Sequence, residues 1–492
     1  MLHKIRIALA IVFITFTTLL FLDFTGTIHI YFGWMAKIQF VPALLALNIA
    51  VVLALLVLTF VFGRIYCSVI CPLGILQDIF ARFGRKAKKN RYSYSPARKW
   101  LRIIVMVLFF ATIIAPGVGV IAHLIAPYSA FGRIASNLFQ PIYLYCNNLL
   151  AYISERAGTY TFYSTEVWLK SVSTFAIAAA TLIVVAVLAW RNGRTWCNTI
   201  CPVGTLLGFF SRYSLLKPVI DTTKCNSCGL CARNCKAACI NAKEHEIDYS
   251  RCVTCFDCIG KCRQNAISYK FRSSAAATDS APADKSRRNF IAVGSMLAVG
   301  AAVNAQEKKV DGGFATIVDK QIPARELSPK PAGSLSIKNF TNSCTACQLC
   351  VSACPNQVLR PSTDLEHFMQ PEMSFERGYC RPECVRCSEV CPAGAIRPIT
   401  TAQKSSISVG YAVLLKENCL AYADDVRCGN CARHCPVGAI YMVPKDPQNP
   451  DSTLIPSVNT ERCIGCGACE NLCPVRPLSA IYVEGRQQHV DL

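Results

Sequence analysis

The chain has 492 residues, 52% of them apolar, and a formal net charge of +21. That length exceeds one domain, and the apolar share is high for a soluble protein. The positive surplus sits in residues 1–224, with 21 Lys and Arg against 5 Asp and Glu, whereas residues 306–492 balance at 19 of each. Because the cations border apolar stretches, lipid and topology account for them and nucleic acid is excluded as a partner. The sequence contains no P-loop, dinucleotide fingerprint or nucleophile triad, which leaves electron and proton transfer as the expected chemistry.

In chain order, residues 5–22, 40–62, 101–122 and 172–190 are each long and apolar enough to span a bilayer. Around the loop between the second and third spans lie Arg64, Arg82, Arg85, Lys86, Lys88, Lys89, Arg91, Arg98, Lys99 and Arg102, against one acid, Asp78. Basic loops stay inside, so this loop is cytoplasmic and the loop at 123–171 faces outward. The spans carry a repeat: residues 63–74, GRIYCSVICPLG, are echoed by 193–204, GRTWCNTICPVG. If each CxxxC is helical, Cys67 and Cys71 share one face, as do Cys197 and Cys201, and the proline that follows marks a break. The four thiols are expected to meet around a metal site. Another iron–sulfur cluster, a copper or zinc ion, a redox dithiol pair and simple packing are the alternatives.

Twenty-four of the 30 cysteines form six runs of four. Four follow the bacterial ferredoxin rhythm: Cys225, Cys228, Cys231, Cys235; Cys252, Cys255, Cys258, Cys262; Cys344, Cys347, Cys350, Cys354; and Cys463, Cys466, Cys469, Cys473. Two are stretched before the second cysteine: Cys380, Cys384, Cys387, Cys391 and Cys419, Cys428, Cys431, Cys435. In this rhythm three thiolates cap one 4Fe-4S cube and the fourth serves its neighbour. The expected ligand sets therefore cross over between paired runs. They are Cys225, Cys228, Cys231 with Cys262; Cys252, Cys255, Cys258 with Cys235; Cys344, Cys347, Cys350 with Cys391; Cys380, Cys384, Cys387 with Cys354; Cys463, Cys466, Cys469 with Cys435; and Cys419, Cys428, Cys431 with Cys473. Zinc sites and disulfide frameworks lack this spacing. Cys239 reads as packing, and Cys146 carries no signal.

An Ala/Ser-rich linker leads to Ser286, Arg287, Arg288, Asn289, Phe290 and Ile291, then an apolar run ending in small residues at Val303, Asn304 and Ala305. This looks like a twin-arginine export signal, which carries folded protein and so spares unfilled cysteines from an oxidising compartment. The expected fold class is multi-domain: an α-helical membrane domain of four spans plus α+β ferredoxin-like 4Fe-4S modules. Its expected parts are a membrane domain at 1–215, a cytoplasmic two-cluster module at 216–272, a linker and signal at 273–305, and a periplasmic four-cluster domain at 306–492.

Four spans, duplicated CxxxCP motifs and a two-cluster tail resemble the NapH type of membrane ferredoxin. The twin-arginine segment followed by four clusters is similar to the MauM/NapG group. The resemblance implies a quinol dehydrogenase of the bacterial inner membrane, with six 4Fe-4S clusters. It would draw on the membrane quinol pool, menaquinol foremost, and pass electrons to a periplasmic cytochrome c or reductase such as nitrate reductase. His123, at the outer end of the third span, is the candidate proton acceptor, ahead of Asp23 and Arg133. Two other resemblances compete: a CcoG-type copper reductase that assembles oxidases, and a NosR-like redox regulator.

Overall fold

The computed structural model describes residues 1–88, 92–114, 120–271 and 318–492. The linker and the twin-arginine segment at 273–305 lie outside the described residues.

Leu2–Leu22 and Val172–Asn192 are apolar helices of 21 residues each, long enough to cross a membrane. Most of their surface is uncovered, and Ile5, Ile11, Val12, Ile183 and Val187 are exposed. The second expected span is not a single helix. Residues 40–62 divide into Phe40–Leu45 and Ile49–Phe62, separated by a turn in which Leu47 takes a φ of +52° and Asn48 caps the next helix. The described parts of the third expected span, 101–122, are helical and belong to Lys99–Ile114 and Val120–Ile125. Hydropathy alone does not reveal such breaks, because a buried turn can be as apolar as a helix.

The CxxxCP repeats also depart from the expected continuous helix. Each first cysteine sits in a five-residue helix, Ile65–Val69 or Thr195–Thr199, and each second cysteine lies beyond its end. Pro72 and Pro202 each open the next helix, Pro72–Lys88 and Pro202–Ser211; proline suits that first position because its missing N–H would have no partner there. Both repeats follow a glycine at positive φ, Gly63 and Gly193. At Gly193 a side chain would meet the Lys236 carbonyl at 2.3 Å, so glycine lets the ferredoxin module approach the helix end.

The cysteine-rich regions are built from small antiparallel hairpin-like pairs. Leu216–Ile220 pairs with Ile267–Phe271, and Ile240–Asn241 with Glu246–Ile247. Further along, Leu359–Pro361 pairs with Pro371–Met373, Ile440–Pro444 with Leu454–Val458, and Ile407–Leu414 with Ile481–Asp491. Sheets this small cannot bury enough apolar area to be stable alone, so bound clusters are expected to supply much of the folding energy.

The two cysteine-rich regions occupy opposite ends of one helix. At the start of Leu2–Leu22, His3 Nδ1 lies 3.4 Å from the Cys255 carbonyl. Just past its end, Arg386 donates to the Phe24 carbonyl at 3.1 Å and to that of Thr25. A helix of 21 residues rises about 31 Å, close to the thickness of a bilayer's hydrocarbon core. More bonds fix the C-terminal region to the helical domain: Asn137 to Gln348 at 2.7 Å, Ser352 to Ser136 at 2.8 Å and Gln140 to the Ser352 carbonyl at 3.2 Å. At the other end Asp78 anchors the 216–271 module, taking bonds from Lys236 at 2.8 Å, Arg194 at 2.6 Å and Arg6.

Candidate electron-transfer sites

Each unstretched run wraps its backbone around a small hollow. The second residue after its first cysteine has a positive φ in all four: Ser227, Thr254, Ala346 and Gly465. The fourth residue does too: Gly229, Phe256, Gln348 and Gly467. Alternating handedness of this kind turns successive N–H groups inward, forming a concavity suited to an anion. The amides of Ala346, Ala266 and Ala439 point at the sulfurs of Cys344, Cys262 and Cys435, at 3.4, 3.3 and 3.2 Å. The stretched runs lack the double turn, and between Cys419 and Cys428 the insertion forms a short helix, Leu420–Ala423.

The structure brings together cysteines from paired runs. Cys225, Cys228, Cys231 and Cys262 line one hollow, and Cys344, Cys347, Cys350 and Cys391 line another. Cys258 lies in electrostatic reach of Cys255, Cys252 and Cys235, and Cys387 of Cys380, Cys354 and Cys384. Cys431 faces Cys428, Cys419 and Cys473, while Cys466 faces Cys463 and Cys435 and Cys469 faces Cys466 and Cys463. Burial is the main reason Cys258, Cys350, Cys387, Cys466 and Cys469 resist ionisation, and it pushes Cys347 and Cys431 up to about 11; bound iron would offset that cost by taking the thiolate. Cys239 does more than pack: its sulfur is 3.5 Å from that of Cys235 and also bonds to Cys252, beside a ligand set. Cys146 is exposed.

In the C-terminal region the four sets follow one another in space. Cys350 is in reach of Cys387, Cys466 of Cys380, and Cys469 of Cys431. The Cys380 amide also donates to the Cys466 carbonyl at 2.9 Å. The series begins at the helical domain, where Gly132 lies so close that a side chain there would meet the Cys347 carbonyl at 2.3 Å.

Lys404 singles out the second set. Its ammonium donates to the Cys380 sulfur at 3.0 Å and the Arg381 carbonyl at 3.0 Å. Burial works against this charge, but Cys380 outweighs it and holds Lys404 above its ordinary range. A donor to a cluster sulfur favours the more negative, reduced state. Lys404→Met is therefore expected to lower the midpoint potential of this cluster; loss of a charge-assisted bond worth ~1.4 kcal/mol corresponds to about 60 mV for a one-electron couple. Redox titration followed by EPR measures it, and an unshifted potential would remove Lys404 as a tuning group.

His123 is buried in a cleft between the helical domain and the Cys344 set. The cleft is lined by Val41, Phe109, Thr345, Glu366, Phe368 and Gln370, among others. The Gln370 amide nitrogen lies 3.1 Å from His123 Nε2 and donates to the Thr341 carbonyl at 2.9 Å. Burial, reinforced by the nearby Arg133, pushes His123 down to about 4, so its resting form is neutral. Asp23 and Arg133 have structural tasks: Asp23 accepts the amides of Thr25, Gly26 and Ile28, and Arg133 donates to the carbonyls of His123 and Leu124.

Comparison with known proteins agrees with this cysteine architecture. Residues 343–395 and 426–476 match a 4Fe-4S dicluster domain, and residues 44–91 and 173–220 match a 4Fe-4S binding domain. The methylamine utilization ferredoxin-type protein MauM of Methylobacillus flagellatus is 33% identical over 166 residues, covering 33% of this chain and 70% of MauM. The chain belongs to the MauM/NapG family of ferredoxin-type proteins. Within this family, NapG of Escherichia coli is 28% identical over 212 residues, covering 39% of this chain and 84% of NapG. The ferredoxin-type protein NapF of Escherichia coli is 30% identical over 155 residues, covering 31% of this chain and 85% of NapF. No solved structure matches the chain. As a MauM/NapG-family member it is an iron–sulfur electron-transfer protein carrying multiple 4Fe-4S clusters.

Proposed function

We propose that this protein is a quinol dehydrogenase of the bacterial inner membrane, oxidising menaquinol and passing electrons through 4Fe-4S clusters to a periplasmic cytochrome c or reductase. The observation that carries this reading is the placement of two cysteine-rich regions at opposite ends of the membrane-length helix Leu2–Leu22. In this reading four membrane passes, with the basic loop inside, leave the 216–272 module in the cytoplasm, and the twin-arginine segment carries the 306–492 region to the periplasm. Six clusters occupy the six crossover ligand sets. Those of Cys344, Cys380, Cys463 and Cys419 lead outward in that order, with the Cys344 set as entry point.

The cleft at His123 is the quinol site in this reading. It has apolar walls from the helices and lies beside Thr345, next to the first cysteine of the entry set. Oxidation releases two electrons, taken one at a time by the entry cluster, and two protons. His123 Nε2 is the first acceptor once the quinol hydroxyl takes the place of the Gln370 amide there, and a base resting this far below neutrality passes its proton on rather than keeping it. Glu366, exposed at the cleft edge, is next in line.

The test is anaerobic addition of a reduced menaquinone analogue to the oxidised protein, with the clusters followed by EPR and visible absorbance. Rapid reduction is expected, and His123→Asn should slow it by ~10²-fold, in the range for loss of one acid–base group. Clusters that quinol leaves oxidised while dithionite reduces them would reject the proposal.

A further inference from the structure

The two matches to a 4Fe-4S binding domain each contain only two cysteines: Cys67 and Cys71 in 44–91, Cys197 and Cys201 in 173–220. Neither can hold a four-iron cluster alone, since that takes four ligands. The fold resolves this. All four thiols are buried, and Cys201 lies in electrostatic reach of Cys197, Cys71 and Cys67.

The arginines that precede the motifs latch the two repeats across each other. Arg64 of the first repeat donates to the Cys197 carbonyl at 3.2 Å and to Asn198 at 3.0 Å, and Arg194 of the second donates to the Cys67 carbonyl at 2.5 Å. Donors also face the sulfurs: Arg64 to Cys67 at 3.7 Å, Gln77 to Cys197 at 3.2 Å and the Gly204 amide to Cys201 at 3.3 Å. Both guanidinium groups are fully buried. Arg194 is paired with Asp78, whereas the partners of Arg64 are Asn198, Cys67 and the carbonyls of Cys197 and Ser250. A buried guanidinium without a carboxylate is costly unless another anion stands beside it.

A single zinc ion bound at about 2.3 Å would hold tetrahedral sulfurs about 3.8 Å apart. Among the described residues, the group of three or more potential ligand atoms within 4.8 Å is Asp364, Glu366 and His367, so no three of these sulfurs converge that closely. None of the six ferredoxin sets forms such a group either, so the four thiols here share that feature with the ferredoxin sets.

We propose that Cys67, Cys71, Cys197 and Cys201 together bind a seventh 4Fe-4S cluster, built from both repeats and neutralised by Arg64. This cluster would connect the two cysteine-rich regions. On one side, Arg64 reaches from the Cys67 sulfur to the Ser250 carbonyl at 3.0 Å, two residues before Cys252. On the other, the buried helix Pro127–Ile134 packs against Pro72–Lys88 and carries Gly132 to the Cys347 carbonyl. Each passage moves one electron in and one out, with no proton and no bond made or broken.

Native mass spectrometry of the anaerobically purified full chain counts the clusters without any variant. Seven clusters per chain are expected. Six clusters with empty thiols, or six with one or two copper ions, would overturn the proposal. The Cys67→Ala/Cys197→Ala variant should lose about one seventh of the iron and sulfide and keep the EPR signals of the other clusters; unchanged iron would be equally fatal.

Discussion

Cys391→Ser is expected to abolish quinol-driven reduction of the remaining C-terminal clusters while dithionite still reduces them. Cys391 completes the set of Cys344, Cys347 and Cys350, and that set alone adjoins both the helical domain and the His123 cleft. The other three sets follow it in the order given by Cys350 to Cys387, Cys466 to Cys380 and Cys469 to Cys431. Serine oxygen is a poor replacement for a soft thiolate at iron, so one substitution should remove one cluster and silence three. Stopped-flow absorbance with quinol, beside EPR after dithionite, separates the two effects. Quinol reduction at the wild-type rate would show that electrons enter elsewhere.

Gly132→Val should have the second largest effect, through distance rather than chemistry. A Cβ at Gly132 would lie 2.3 Å from the Cys347 carbonyl and 2.9 Å from the Phe21 ring. Backbone on one side and a buried core ring on the other leave nowhere for it to go, so the Cys344 set must lift off the helical domain. An ångström of misplacement at a reacting pair can cost ~10²-fold in rate, and a branched side chain demands more. The expected result is full iron content with quinol-driven reduction slowed at least ~10²-fold. Rates like those of the wild type would mean that the close seat is not on the electron path.

The cysteine chemistry was legible in the sequence because ligand spacing is a local property: three thiolates and a turn fit within seven residues. The apolar helices were legible in position but not in continuity, as the turn at Leu47 breaks residues 40–62 without any polar signal beyond Asn48. His123 was singled out for its place at the outer end of the third apolar stretch; its position beside Thr345 and against Gln370 depends on residues up to 247 positions away and was not legible. Gln370 and Lys404 gave no sequence signal. Arg64 and Arg194 did: the same residue stands three positions before the first cysteine in both repeats. What the sequence could not show is that each arginine serves the opposite repeat.

That exchange imposes a timetable on biosynthesis. When the ribosome has made Cys67 and Cys71, the carbonyl that Arg64 will grip lies more than a hundred residues in the future, at Cys197. Until then the first repeat is a half-finished socket with a bare cation, which metal insertion cannot complete. The same delay applies at Cys344, Cys347 and Cys350, whose fourth partner, Cys391, has yet to emerge. With these ligand sets, iron loading is expected to be a late event, governed by the second member of each pair, and a chain truncated between partners should accumulate without its metal.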